Sequence, residues 1–250
     1  MIFLRHVARV RPSAASRYIS LGIYGKPVRN LSSMPVTVPV TGEEVVAKKL
    51  GWRNLELATR ALHRDGLVVL QDAIAHSRLD ALDKTMVQDA LKLQAQGDAG
   101  PFNYNKGTEV WLGTHNTTSL AAQEGKQGDR ASGRIAKDLL EERRQQRPPS
   151  QPLVRKGSIV IRDLRLWHAG KPNFSNDIRV MLAMIHFAPW YRNAMKVEFS
   201  EDLEAVLDRD GSGLQIQKTL VSEQTILDEY LNRGYGNSYN FDQESRLENF

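Results

Sequence analysis

Two side chains within residues 162–192 have types and spacing that can do chemistry together. His168 follows a short β-type run, Gly157-Ser158-Ile159-Val160-Ile161, and Arg179 opens a second apolar run, Val180 to Ala188. A neutral imidazole is a good ligand for ferrous iron. A guanidinium fork is the usual partner of a small dicarboxylate, because it donates two parallel charge-assisted hydrogen bonds. On adjacent strands facing one cavity, the two would form half of a non-haem iron site with a dicarboxylate co-substrate. The other half would be an H-x-D pair upstream, completing two histidines and one carboxylate on one face of the metal.

The chain does contain an H-x-D triplet, His63-Arg64-Asp65. It lies at the end of a helical pattern, just before Gly66, where His and Asp commonly sit as last-turn and loop residues. Short motifs of this kind match often by chance, so the triplet reads as structural; it would supply metal donors only if the fold brought His63 and Asp65 to His168. His115, after Gly113-Thr114, reads as a turn residue with a hydrogen-bonded ring. His186, inside the apolar run Met181 to Phe187, reads as a satisfied core histidine. Asp208, Asp210, Ser212 and Gly213 match the first half of a calcium-binding loop, but the twelfth position is Thr219, where a bidentate glutamate is required. A polar turn is the better reading. Pro148 to Pro152 reads as a rigid lead-in to a strand rather than a proline-rich ligand. No side chain is assigned as a catalytic acid, base or nucleophile.

These residues need elements to position them. Val45 to His63 has the apolar spacing of one amphipathic helix, with Leu50, Leu55, Ala58 and Leu62 on a face. Gly66 can end it, and Leu67 to Leu70 reads as a buried strand. Ser77-Arg78-Leu79-Asp80 has capping-box form and opens a helix carrying Leu79, Leu82, Met86, Ala90 and Leu93. Gly97 to Asn105 reads as loop, Val110 to Leu112 as strand, and Arg134 to Arg147 as a charged helix stopped by Pro148-Pro149. Strands follow at Ser158 to Arg162 and Arg179 to Phe187, then helices at Glu201 to Leu207 and Glu223 to Leu231. Runs of strands with flanking helices imply a mainly β domain of jelly-roll (double-stranded β-helix, cupin-like) type over residues 43–250.

The 250 residues suffice for one domain with a sizeable core. Cysteine is absent, which excludes disulfides and thiol chemistry and suits a reducing compartment. No apolar run reaches bilayer-spanning length. No Asp or Glu precedes Glu43, whereas Arg5, Arg9, Arg11, Arg17, Lys26 and Arg29 do. Subtracting these six from the net charge of +5 leaves −1 for the rest, so nothing argues for a nucleic-acid partner. Residues 1–42 read as leader and linker. Arg-rich, Ser-containing and free of acids, they have the composition of a mitochondrial transit peptide. A start at Met34 would instead give a cytoplasmic protein.

The stretch Lys156-Gly157-Ser158, the strand after it, Arg165-Leu166-Trp167-His168-Ala169-Gly170, Pro172-Asn173, Arg179 and Pro189-Trp190-Tyr191 resembles the phytanoyl-CoA dioxygenase family, particularly its fungal members. Gly107-Thr108-Glu109-Val110-Trp111-Leu112-Gly113-Thr114-His115-Asn116 and Arg64-Asp65-Gly66-Leu67-Val68-Val69-Leu70 resemble two further family segments, so the likeness runs from about Glu43 to Arg192. It implies a jelly-roll oxygenase dependent on iron(II) and 2-oxoglutarate that hydroxylates a small organic substrate. His168 would be the distal metal ligand and Arg179 the anchor of the 2-oxoglutarate distal carboxylate. The family carries its H-x-D pair, and several strands, in an interval that here shrinks to Phe102-Asn103-Tyr104-Asn105 before Lys106. The jelly roll would then be incomplete, and the alternative is an inactive remnant or truncated form that acts as a binding protein. Residues 1–42 fused to a fluorescent protein are expected to direct it to mitochondria; a uniformly cytosolic signal would refute the transit-peptide reading.

Overall fold

The computed structural model describes residues 2–5, 32–97, 106–124, 134–175, 177–188, 197–208 and 214–230. The chain opens with β1 (Ile2–Arg5) and β2 (Val36–Pro39), followed by α1 (Gly42–Ala47), α2 (Trp52–Asp65), β3 (Leu67–Gln71) and α3 (His76–Ala95). Next come β4 (Lys106–Val110), α4 (Lys137–Gln146), β5 (Ile159–Arg162), β6 (His168–Pro172) and β7 (Met181–Met184). β8 (Val197–Ser200), α5 (Glu204–Asp208), β9 (Lys218–Val221) and α6 (Glu223–Tyr230) follow.

The strands form small sheets and, among the described residues, close no barrel. One sheet has five strands in the order β2-β3-β5-β1-β7; β4 with β6, and β8 with β9, form two-stranded pairs. Two of these strands lie inside the segment expected to be leader and linker. β2 pairs in parallel with β3, Val36 opposite Val68 and Val38 opposite Leu70, and Val38 is buried. β1 pairs antiparallel with β5 on one side and β7 on the other. The linker reading is therefore corrected for Val36–Pro39, whose alternate valines complete a core face. Residues 6–31 lie outside the described residues.

The continuous apolar run in β3 is explained by burial of both its faces. Leu67 and Val69 point to one side, where Val160, Val110, Leu112, Val154 and Leu166 pack with them. Val68 and Leu70 point to the other, against Val38 and against Ala58 and Ala61 of α2. The pairing of Leu67 with Arg162 and Val69 with Val160 puts Arg162 on the first face.

Local chemistry sets the helix ends. The single helix expected from Val45 to His63 is split. Thr41 and Glu44 form a capping box on α1, and Lys48 ends it in the left-handed region with φ 51°. The Glu44 carboxylate also accepts from the Gly51 N–H at 2.6 Å and from Asn54 Nδ2 at 2.8 Å, tying α1 to the start of α2. The capping box expected at Ser77 does not form, because α3 begins one residue earlier at His76. The first expected tail helix is a 3-10 turn, Glu201–Leu203, running into α5. β8 and β9 pair in parallel and had no clear sequence signal, being short and mixed in character.

α2 ends at Gly66, where φ is 74°. A Cβ there would lie 2.5 Å from His115 Nδ1 and 2.8 Å from Leu166 Cδ1, so both backbone and space demand glycine. Just before it, Asp65 is fully buried and bonds Arg147 Nη1 at 2.8 Å through one oxygen and Arg64 Nη2 at 2.6 Å through the other. Arg147 is itself buried and donates to the Ser32 carbonyl from Nε and Nη2, at 2.9 and 2.6 Å. Burial alone would raise the Asp65 carboxyl; the hydrogen bonds from Arg64 and Arg147 outweigh it and hold the pKa below the ordinary 3.8. A depressed carboxylate contributes stability above its unfolded pKa and loses it as pH falls through the folded value. Asp65→Asn is expected to cost about 3–5 kcal/mol in urea unfolding at pH 7, since it strands a buried guanidinium. The gap between variant and parent should close as the pH drops below about 3.8. An unchanged midpoint at pH 7 would refute this role.

Candidate functional site

His168 opens β6 and stands directly opposite Val110 of β4, while Thr108 stands opposite Gly170. Residues two apart on a strand share a face, so Thr108, Val110 and His168 lie on one face of the β4–β6 ribbon. Arg179 precedes β7 in the larger sheet, outside the strand expected to begin at it. Its Nη2 lies 3.4 Å from Thr108 Oγ1 and 3.4 Å from Met181 Sδ. The arginine thus bridges from the five-stranded sheet to the ribbon that carries His168.

Between ribbon and sheet is a cavity of about 40 Å³, lined by Leu67, Thr108, Val110, Val154, Val160 and Met181, with Pro152 beside them and the side chains of Arg162 and Arg179. Sequence reading missed Arg162 and Thr108. A signal existed: in Ile159-Val160-Ile161-Arg162 the alternation that buries Val160 also turns Arg162 inward. Arg162 is only 3% exposed, and burial lowers its pKa to about 10, which leaves it charged at neutral pH.

His168 Nδ1 is 2.9 Å from the Leu166 carbonyl oxygen. That oxygen can only accept, so Nδ1 carries the proton in the neutral ring and Nε2 keeps a free lone pair. Loss of hydration, with the Arg162 charge as a smaller contribution, lowers the imidazole pKa to about 4, against the upward pull of the Leu166 bond. The residue keeps substantial solvent contact, which screens part of that depression. Both facts agree on a neutral imidazole at pH 7.

The other candidate donors do not join it. Both oxygens of Asp65 are held by arginines, and the His63 carbonyl accepts from His115 Nε2 at 3.0 Å and from Asn116 Nδ2 at 3.3 Å. His115 is buried in a 3-10 turn, Thr114–Asn116. The turn is held by Thr114, whose hydroxyl donates to the Trp111 carbonyl at 2.8 Å and accepts from the Trp167 N–H at 2.9 Å. His186 is corrected: it is exposed and lies beyond the end of β7, not in a core strand. Asp208 ends α5 and Thr219 lies in β9, paired with Glu198; residues 209–213 are outside the described residues. Ser150 pairs with Val110 through both backbone bonds, so the proline-rich lead-in holds β4.

Among the described residues, no group of three or more His, Cys, Asp or Glu side chains is placed to hold a metal ion. Among the described residues, the donors around His168 do not make up an iron triad. Nor is any helix of the described residues long and apolar enough to cross a membrane. No protein-family model matches the chain. In proton–nitrogen correlation spectra, His168 is expected to show the Nδ1–H tautomer and a midpoint well below the ordinary 6.5. A midpoint at or above 6.5 would refute the electrostatic description.

Proposed function

We propose that this chain is a phytanoyl-CoA dioxygenase-type protein on an incomplete jelly-roll scaffold, and that it binds 2-oxoglutarate or a close dicarboxylate analogue at Arg179. The observation that carries this reading is the placement of Arg179. Its guanidinium stands at an apolar cavity, beside a hydroxyl, on the ribbon face that also holds the neutral His168. In an intact relative the same face would hold iron(II) and direct oxidation of a small organic substrate, chemistry that belongs to the cofactor. Among the described residues, His168 is the one candidate donor on this face, and Asp65 is committed to Arg147. On this reading the chain is a binding protein for the co-substrate class. Its basic, acid-free leader supports a mitochondrial location.

Calorimetry with 2-oxoglutarate is the direct test. Arg179→Gln is expected to weaken binding at least about tenfold, close to 1.4 kcal/mol. Supplying iron(II), oxygen and ascorbate should yield no iron-dependent succinate. Turnover abolished by both His63→Ala and His168→Ala would overturn the binding-protein reading and restore an active oxygenase with a rearranged triad.

A further inference from the structure

We propose that the corner between α1 and α2, residues 46–55, docks on an anionic lipid surface. Val46 and Trp52 enter the headgroup layer, and Lys48, Lys49 and Arg53 meet its phosphates. The inference goes beyond the proposed function and does not depend on the cavity at Arg179.

Four observations carry it. First, Val46 is 84% exposed and Trp52 81%, so two bulky apolar side chains stand in water on either side of one short connection. Helical periodicity forces this on Trp52: Ala58, Ala61 and Asp65 are the buried side of α2, and Trp52 falls on the opposite side with the exposed Leu55 one turn on. Second, residues 45–55 contain no Asp or Glu and three cations, Lys48, Lys49 and Arg53. All three are exposed and form no ion pair among the described residues. The flanking carboxylates are occupied: Glu44 accepts from the Thr41 and Gly51 N–H groups and from Asn54, and Glu56 pairs with Arg60 at 2.6 Å. The exposed Glu43 lies at the far end of α1, in its first turn. Third, the corner is rigid, because the Glu44 carboxylate ties α1 to the start of α2. Fourth, the buried side of α2 packs on the Val68 and Leu70 face of β3, whereas the cavity lies on the Leu67 and Val69 face. A surface held at the corner leaves the cavity open to solution.

The mix of residues selects lipid over protein. Protein interfaces gather apolar side chains at a centre that is poor in lysine. Here the lysines stand directly between the two apolar side chains. Basic side chains beside an exposed Trp are the signature of a segment that lies in a bilayer interface, where the indole ring is buried and its N–H stays at headgroup level. Anionic headgroups supply the negative field that Lys48, Lys49 and Arg53 complement.

The experiment is vesicle sedimentation of the full chain. One set of vesicles is phosphatidylcholine; the other is equal parts phosphatidylcholine and phosphatidylglycerol. Binding to the mixed vesicles is expected to be at least about tenfold stronger, and to weaken as salt is added. Trp52→Ala should weaken it at least about fivefold, and Lys48→Glu with Lys49→Glu at least about tenfold. The mixed vesicles should shift tryptophan emission to the blue in the parent and not in Trp52→Ala. These side chains are exposed, so urea midpoints should match the parent's. The basic leader could bind anionic lipid by itself, and parent-like binding by both variants would show that and overturn the proposal. Equal binding to the two vesicle types, or binding to neither, overturns it as well. A Trp52-dependent dimer in the absence of lipid would assign the corner to a second copy of the chain and overturn the lipid assignment. None of these outcomes bears on Arg179, so the proposed function is tested separately.

Discussion

The buried pair of Asp65 and Arg147 is the constraint on which the rest of the architecture depends. It joins the last residue of α2 to the residue that follows α4, 82 positions away, and Arg147 then holds the Ser32 carbonyl, 115 positions from itself. A carboxylate and a guanidinium taken out of water must satisfy each other in good geometry, because the cost of leaving either alone is several kcal/mol. The same junction supplies the backbone links to the site layer. The Asp65 carbonyl accepts from Gly113 N at 2.8 Å and the Gly66 carbonyl from Asp163 N at 2.9 Å. These bonds place the turn holding His115 and the segment leading to His168 against β3.

The cavity follows from that placement. β3 is apolar on both faces and so separates a helix-backed core from a second core under the β4–β6 ribbon. Where ribbon and sheet meet, side chains pack up to Val110, Val160 and Leu67 and leave a space ended by two arginines. At the α2 terminus both oxygens of Asp65 are taken up by Arg147 and Arg64.

Much of the fold was legible because hydrophobic period and turn chemistry are local. β3, β5, α3, α4 and α6 were readable from runs of Leu, Val and Ile and from Gly66 and Pro148. The break between α1 and α2 was not, since it depends on the Glu44 carboxylate reaching Gly51, a side-chain contact that no periodicity records. β2 was hidden for a related reason: four residues between a basic N-terminal stretch and a capping threonine become a strand by pairing with the edge of β3. His186 was misplaced because β7 ends at Met184, earlier than its apolar composition implied.

At the site, His168 and Arg179 were singled out by their residue types together with the family-like motif around them, both beside strand-forming runs. The His63–Asp65 pair read as structural from its position at a helix end, while its use as a ligand pair was left open. Only the tertiary structure decided that Asp65 is spoken for by Arg147, that Arg179 reaches Thr108, and that Arg162 faces the cavity rather than solvent. The physical reason is that burial and pairing are properties of distant segments brought together. A carboxylate or guanidinium has the same chemistry wherever it occurs, and its role is set by what the folded chain places within three or four ångströms of it.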